Sequence, residues 1–219
     1  MSVDLILFDC DGVLVDSEPI AARVLAELLT ELGHPHTRDD CYDRYTGISL
    51  AAVKARVEAD AGRPLPEDFI DRLTERDAAA FTAELRAMPG VADVLAGLAV
   101  PFCVASSGTL AKIRRSLRLT GLDGPFGDRL YSAQMVTRGK PAPDLFLLAA
   151  EGMGAAPERC LVIEDSAAGV TAARAAGMAV LGFAGGGHCG PGHGEMLRNA
   201  GAPLVFDAMA DLPGLLAAL

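Results

Sequence analysis

No uninterrupted apolar segment of this 219-residue chain approaches the ~20 residues that a membrane-spanning helix needs, so a membrane partner is not expected. Positive charge is scarce as well: 19 Lys and Arg stand against 29 Asp and Glu, a net charge of −10. A nucleic-acid backbone is therefore excluded as a partner, because phosphate contacts need a basic face. A small anion can still be held locally, by one or two cations and a metal. The five cysteines, Cys10, Cys41, Cys103, Cys160 and Cys189, are odd in number and lack paired CxxC spacing. Cys10, Cys103 and Cys160 fall in or beside expected buried strands and read as small apolar fillers in a reducing compartment. No basic stretch precedes an apolar run near the N-terminus, where Asp4 and Asp9 stand, so a secretory signal is not expected and the location is read as cytoplasmic. Short internal repeats, low-complexity tracts and coiled-coil heptads are absent too.

Half of the residues are apolar, enough for one large domain or for a core with a smaller insertion. Residues 3–8, apolar except for Asp4, read as a strand buried on both faces, and directly past its end come Asp9 and Asp11, with Gly12 turning the backbone away. Residues 17–32 then switch to helical spacing, and 39–45, 50–61 and 67–85 continue helically, broken at Thr46-Gly47 and at Arg63-Pro64-Leu65-Pro66. This block of about 70 residues has no strand signal and looks like an insertion. From Met88-Pro89-Gly90 onward, strands at 101–105, 129–132, 160–163, 179–183 and 204–206 alternate with helices at 91–98, 110–119, 143–152, 167–176 and 195–200. The expected fold is α/β: a doubly wound, Rossmann-like parallel sheet formed by 1–15 and 88–219, with an all-helical domain at 16–87.

In a parallel sheet, ligands gather at the carboxyl ends of the strands, and four groups of polar residues fall there. They are Asp9 and Asp11; Ser106, Ser107 and Gly108 after the second strand; Lys140 within Gly139-Lys140-Pro141-Ala142-Pro143-Asp144; and Glu164 with Asp165 after Leu161-Val162-Ile163. Each has a plain alternative: an Asp-Gly turn, a Ser-Ser-Gly loop with an N-cap, a solvated lysine, and N-cap and first-turn acids of the helix from Ala167. Together, and in this order, they resemble the motifs of the haloacid dehalogenase superfamily, and the resemblance covers essentially the whole chain, in residues 18–87 more by helical character than by residue. It implies a phosphatase or phosphomutase with Asp9 as nucleophile, a Rossmann-like core and a helical cap, within the subfamily of β-phosphoglucomutases and related phosphatases.

A carboxylate nucleophile needs no base, but it repels a phosphate dianion: at ~4 Å and an effective dielectric of about 20, each pair of unit charges repels by roughly 4 kcal/mol. Cations are required. Lys140 supplies one, and a divalent ion, most simply Mg2+, the other, held by Asp9, Asp165 and Glu164, directly or through water. The resemblance adds the backbone carbonyl of Asp11 to that metal set. Asp11, two residues past the nucleophile, is the expected acid and base: it protonates the leaving alkoxide, then deprotonates the water that attacks the aspartyl-phosphate. Ser106, Ser107 and Gly108 at a helix start make a phosphate cradle with Lys140. Residues 13–17 and 86–90 are the expected linkers on which the cap closes. Gly47, Ile48 and Ser49 look like the place where this subfamily carries its specificity loop, whereas Arg23, Arg44, Lys54 and Arg56 read as a solvated helix face. His188, Cys189 and His193 suggest a soft metal site, but their spacing matches no zinc pattern and only three ligands are visible, so the Gly-rich stretch 185–194 is read as a mobile loop.

The expected activity is hydrolysis of a small phosphate monoester. A mutase of the β-phosphoglucomutase kind is the nearest alternative, yet those enzymes resemble this chain less at three places: a His shortly after motif one, where Ala21 and its neighbours stand; an Arg in the specificity loop, where Ile48 and Ser49 stand; and a Lys-Asn pair after the motif-two serine, where Ser107 and Gly108 stand. The stretches Phe8 to Gly12 and Pro101 to Gly108 are similar to 6-phosphogluconate phosphatase-type enzymes, which points to a sugar phosphate. A non-enzymatic phosphate-binding domain, receiver-like or vestigial, is the third reading. The helical insertion and the complete set of motifs speak against it.

Overall fold

The computed structural model describes residues 3–45 and 48–219. The chain divides into two compact units, one made of 1–16 and 86–219, the other of 17–85. It opens on β1 (Leu5–Phe8) and continues through four helices, α1 (Glu18–Glu31), α2 (Arg38–Tyr45), α3 (Leu50–Ala61) and α4 (Phe69–Glu84). Alternation then resumes with α5 (Val91–Gly97), β2 (Phe102–Ser106), α6 (Leu110–Leu119), α7 (Asp123–Phe126), β3 (Leu130–Ser132) and α8 (Asp144–Met153). It ends in β4 (Cys160–Glu164), α9 (Ala167–Ala175), β5 (Ala179–Phe183), α10 (His193–Ala200), β6 (Val205–Phe206) and α11 (Leu212–Ala217).

The six strands form one parallel sheet in the order β3-β2-β1-β4-β5-β6. Strand β1 lies inside it, with Phe8 opposite Val104 of β2 and Ile163 of β4, and all four of its residues are buried. That explains the unbroken apolar run: both faces of the sheet are covered, so no residue alternates toward water. On one face Leu5, Leu7, Cys103, Ala105, Cys160 and Val162 belong to a core shared with Leu145, Phe146 and Ala149 of α8 and Val170, Ala172 and Ala173 of α9. Phe8 meets Phe102 and Phe126 edge to face. Cys10, Cys41, Cys103 and Cys160 are all buried and unpaired with one another, as apolar fillers would be.

Within the helical unit, Ile20, Val24, Leu25, Leu28 and Leu29 make the buried face of α1, which packs on α2 and α4. Two ion pairs, Arg23 to Glu84 and Arg76 to Glu31, join α1 and α4. The stretches expected as linkers are paired: Asp16 N–H donates to Arg86 O (3.0 Å) and Met88 N–H to Leu14 O (2.8 Å), while Val13, Leu14 and Val15 are buried. Two short helices, α7 and α11, carry Gly124-Pro125 and Pro213-Gly214 and lie outside the stretches expected as helical. Proline is tolerated in the first turn of a helix, where its missing N–H has no intrahelical partner, and Pro213 sits there. No helix of the described residues is long and apolar enough to cross a membrane.

Candidate active site

Because β1 is flanked by β2 and β4 in register, its end brings Asp9 beside the ends of both neighbours, Ser106 and Glu164. The Asp9 amide donates to Ile163 O at 3.0 Å, fixing the backbone, and the residue is buried. Gly12 allows the chain to turn at φ +78°, and it has a second role. A Cβ at Gly12 would overlap Asp165 Oδ2 and reach His188 Cε1 at 3.0 Å, so only glycine lets this loop approach the acid at the end of β4.

Lys140 is the centre of the arrangement. Its side chain is 3% exposed, and its ammonium donates to Asp9 Oδ1 (2.6 Å), Glu164 Oε1 (2.6 Å) and Ala105 O (3.0 Å). All three donors are thereby used. Burial disfavours its charge, but the two carboxylates overcome that and hold the lysine well above its ordinary value. The ring of Phe146 lies under it, 4.9 Å from Nζ to the centroid. Burial also pushes Asp9 well above the usual carboxylate range; Lys140 pulls it down, while Glu164 and Asp165 push with burial.

Glu164 and Asp165 diverge in their surroundings. Glu164 is wholly buried: Oε1 accepts from Lys140, and Oε2 accepts from the Ser166 amide and hydroxyl, both at 2.9 Å. Asp165 Oδ2 lies 3.2 Å from His188 Nε2, and its backbone carbonyl accepts from His193 Nε2 at 2.7 Å. Burial raises Asp165 above the usual range, partly offset by His188. Burial works against a charged His188, yet hydrogen bonds to Asp165 and Cys189 outweigh it and push the ring up to about 10. The N-cap role considered for these acids belongs to Ser166, whose Oγ accepts from Gly169 N–H at 3.0 Å.

Asp11 Oδ2 receives Lys112 Nζ at 2.8 Å. Lys112 is a site residue that the motifs did not single out. One signal was available: it lies in the first turn of α6, where the helix dipole disfavours a cation. Ser106 is buried and its Oγ accepts from Gly108 N–H at 3.1 Å, whereas Ser107 is exposed. A Cβ on Gly108 would have Ser106 Oγ, Lys112 Cδ and Asp11 Oδ2 within 3.5–3.7 Å, so these groups converge on one bare backbone position. Ser132 Oγ donates to Gly108 O at 2.6 Å and pins the loop, and the N-cap of α6 is Thr109.

Of the specificity candidates, Gly47 lies outside the described residues, Ile48 is exposed, and Ser49 caps α3 by accepting from Ala52 N–H at 3.2 Å. Arg23 is paired with Glu27 and Glu84, Arg44 with Asp60, and Arg56 donates to Arg44 O.

The donor set fits a hard divalent cation. Asp9 and Asp165 are carboxylates crowded by a third, burial works against their charge, and oxygen is the ligand magnesium takes.

Comparison with known proteins shows the family. Residues 3–177 match the family model of haloacid dehalogenase-like hydrolases. The 6-phosphogluconate phosphatase of Escherichia coli is 31% identical over 182 residues, covering 83% of this chain and 82% of that protein. Among solved structures, a haloacid dehalogenase-like protein from Agrobacterium tumefaciens superposes with a TM-score of 0.91 at 39% identity, covering 99% of each chain. A hydrolase of the same family from Deinococcus radiodurans, with bound phosphate and sodium, gives a TM-score of 0.84 at 37% identity over 99% of this chain and 96% of that one.

Proposed function

The chain belongs to the haloacid dehalogenase-like hydrolases and is a phosphoric monoester hydrolase, and from that premise we propose a magnesium-dependent phosphatase that acts on a sugar phosphate or phosphorylated sugar acid through an aspartyl-phosphate. The observation that carries this reading is the buried ion pair of Lys140 with Asp9, set at the end of the inner strand beside two further acids. Asp9 attacks phosphorus and the ester P–O bond breaks, with the proton of Asp11 passing to the departing oxygen. A water then attacks the phosphorus of the aspartyl-phosphate while Asp11 takes its proton, releasing inorganic phosphate and restoring Asp9.

Lys140 offsets the charge of nucleophile and phosphate together. Asp9, Asp165 and the Asp11 carbonyl would hold magnesium, which would supply further charge neutralisation. Glu164 contributes through Lys140 and Ser166, which take both of its oxygens. The Ser106 hydroxyl accepts from Gly108 and so keeps its own proton for a phosphate oxygen, with Ser107 and Gly108 completing the cradle. The Deinococcus radiodurans relative is a structure with bound phosphate and sodium, an anion and a cation of the two kinds this reading calls for. The substrate class rests on likeness to 6-phosphogluconate phosphatase. The helical unit is read as the cap that selects the leaving group.

The test is release of inorganic phosphate from a panel of sugar phosphates and phosphorylated sugar acids, with magnesium or with chelator, and with Asp9→Asn as control. Metal-dependent release that vanishes in the variant is expected. Isomerisation of a hexose 1-phosphate without release would make the chain a mutase.

A further inference from the structure

We propose that His188, Cys189 and His193 form a binding site for a borderline-soft divalent cation of the zinc class, separate from the carboxylate site and joined to it through Asp165. One ligand atom from each residue lies within 4.8 Å of the others, in a partly buried cluster. Cys189 Sγ is 3.6 and 3.9 Å from the ring nitrogens of His188, and the two imidazoles stand edge to face with centroids 5.1 Å apart. A tetrahedral zinc ion with ordinary bond lengths to nitrogen and sulfur separates its ligand atoms by about 3.5 Å, so small movements suffice.

What distinguishes the cluster from a chance gathering is how the rings are held. A carbonyl only accepts, so His193 Nε2, at 2.7 Å from Asp165 O, carries the hydrogen and a neutral ring keeps its lone pair on Nδ1. His188 gives its own Nε2 to the Asp165 carboxylate at 3.2 Å, so a metal ion would take Nδ1 by displacing the proton there. An imidazole that donates one nitrogen to a carboxylate or carbonyl and offers the other is the arrangement metal-ligating histidines adopt. Here both rings are anchored on one residue. The loop is fixed as well: Gly187 N–H donates to Asp16 Oδ1 at 2.9 Å, and Cys189 N–H to Gly186 O at 2.9 Å. A Cβ on Gly186 would come to 2.7 Å from His188 Nδ1, so the close approach of loop and ring there requires glycine.

The two sites differ in donor chemistry. Asp9 and Asp165 offer hard oxygens, which suit magnesium; a thiolate and two imidazoles select zinc, cobalt or copper and do not take magnesium. Three protein ligands leave the fourth position to water, as in zinc sites that exchange ligands. The sequence spacing alone matches no zinc pattern, because the two histidines owe their convergence to Asp165 at the end of β4.

The experiment is a titration of the full chain with Zn2+ against a chromophoric chelator, and with Co2+ by absorption, both in saturating magnesium. It reads metal directly and stands whether or not the chain releases phosphate. One equivalent of zinc is expected, with a thiolate-to-cobalt absorption band. Cys189→Ser should abolish the band, and Cys189→Ser and His193→Gln should each weaken zinc by at least about 10-fold. Asp9→Asn should leave zinc affinity unchanged. The other four cysteines are buried and do not contribute. Unchanged zinc binding in Cys189→Ser and His193→Gln, competition by magnesium, or loss of zinc in Asp9→Asn would overturn the proposal.

Discussion

Gly169→Ala separates a packing argument from a propensity argument by the sign of its effect. Gly169 lies inside α9 with helical backbone, where alanine normally stabilises by about 1 kcal/mol. In this chain a Cβ at 169 would overlap the carboxylate of Glu164, a residue that is 0% exposed and bound at both side-chain oxygens. The carboxylate has no room to withdraw without releasing Lys140 and Ser166. Disrupting a buried ion pair costs about 3–5 kcal/mol, so after the propensity gain the variant should lose about 2–4 kcal/mol. For a unit of this size that lowers the midpoint of thermal unfolding by about 4–16 °C. Circular dichroism melts would measure it. Gly97→Ala is the control: Gly97 ends α5, a Cβ there meets nothing within 4 Å, and a small gain is expected. A Gly169→Ala protein as stable as the parent or more so would refute the claim that Glu164 is held rigidly. Phosphate release should fall with stability, since Lys140 loses one of its two anionic partners.

Asp11→Asn should abolish turnover while leaving magnesium affinity largely intact, because the proposed metal contact is through the backbone; undiminished phosphate release would remove Asp11 from the mechanism. Lys112→Met should lower kcat by about 10-fold or more with little change in melting temperature, as expected when a partly exposed charge pair contributes little to stability but orients a reacting group. Lys140→Arg, though it keeps the charge, should cost at least as much activity as Glu164→Gln, because a planar guanidinium cannot serve three acceptors around one buried nitrogen. Burial holds Asp9 and Asp165 above the ordinary carboxylate value, so the folded chain binds protons more tightly than the unfolded one. Without metal, stability should therefore fall as pH rises from the ordinary carboxylate value through the raised ones; magnesium at 100 times its Kd should flatten that slope and add about 2.7 kcal/mol. A metal-free melting curve that is flat across that range would contradict the burial argument.

The parts of the site that could be read from the sequence are those whose signal is local. An apolar run followed by Asp9-Cys10-Asp11-Gly12 states both the buried strand and what it delivers, since a strand covered on both faces leaves no alternation to misread. The same holds for Lys140, whose flanking prolines mark an ordered loop. What escaped is what depends on distant partners. Lys112 is 101 residues from Asp11 and meets it only because β1 and β2 are neighbours. Glu164 and Asp165, adjacent in sequence, read alike as metal ligands or helix caps; the strand's alternation sends one into the core against Lys140 and Ser166 and the other toward Gly12 and His188. The short helix α11 is not among the expected elements: proline is a helix breaker except in the first turn, and only the position of the N-cap tells the two cases apart.

The charge pattern of the site explains why Lys140 needs two carboxylates rather than one. A phosphate dianion brought to ~4 Å from an ionised Asp9 meets about 4 kcal/mol of repulsion per pair of unit charges at an effective dielectric of about 20. Were Asp9 the only anionic partner of Lys140, an arriving phosphate would draw the ammonium away from the nucleophile and leave the repulsion in place. In the proposed reaction Glu164 would prevent that: held at one oxygen by Ser166 and at the other by Lys140, it would keep the cation fixed as Asp9 turned toward phosphorus. The third acceptor, Ala105 O, comes from the backbone of β2 and cannot follow the substrate. A lysine immobilised in this way does not have to reorganise as charge moves from nucleophile to phosphate, which is the condition under which a buried cation lowers a barrier rather than merely binding an anion.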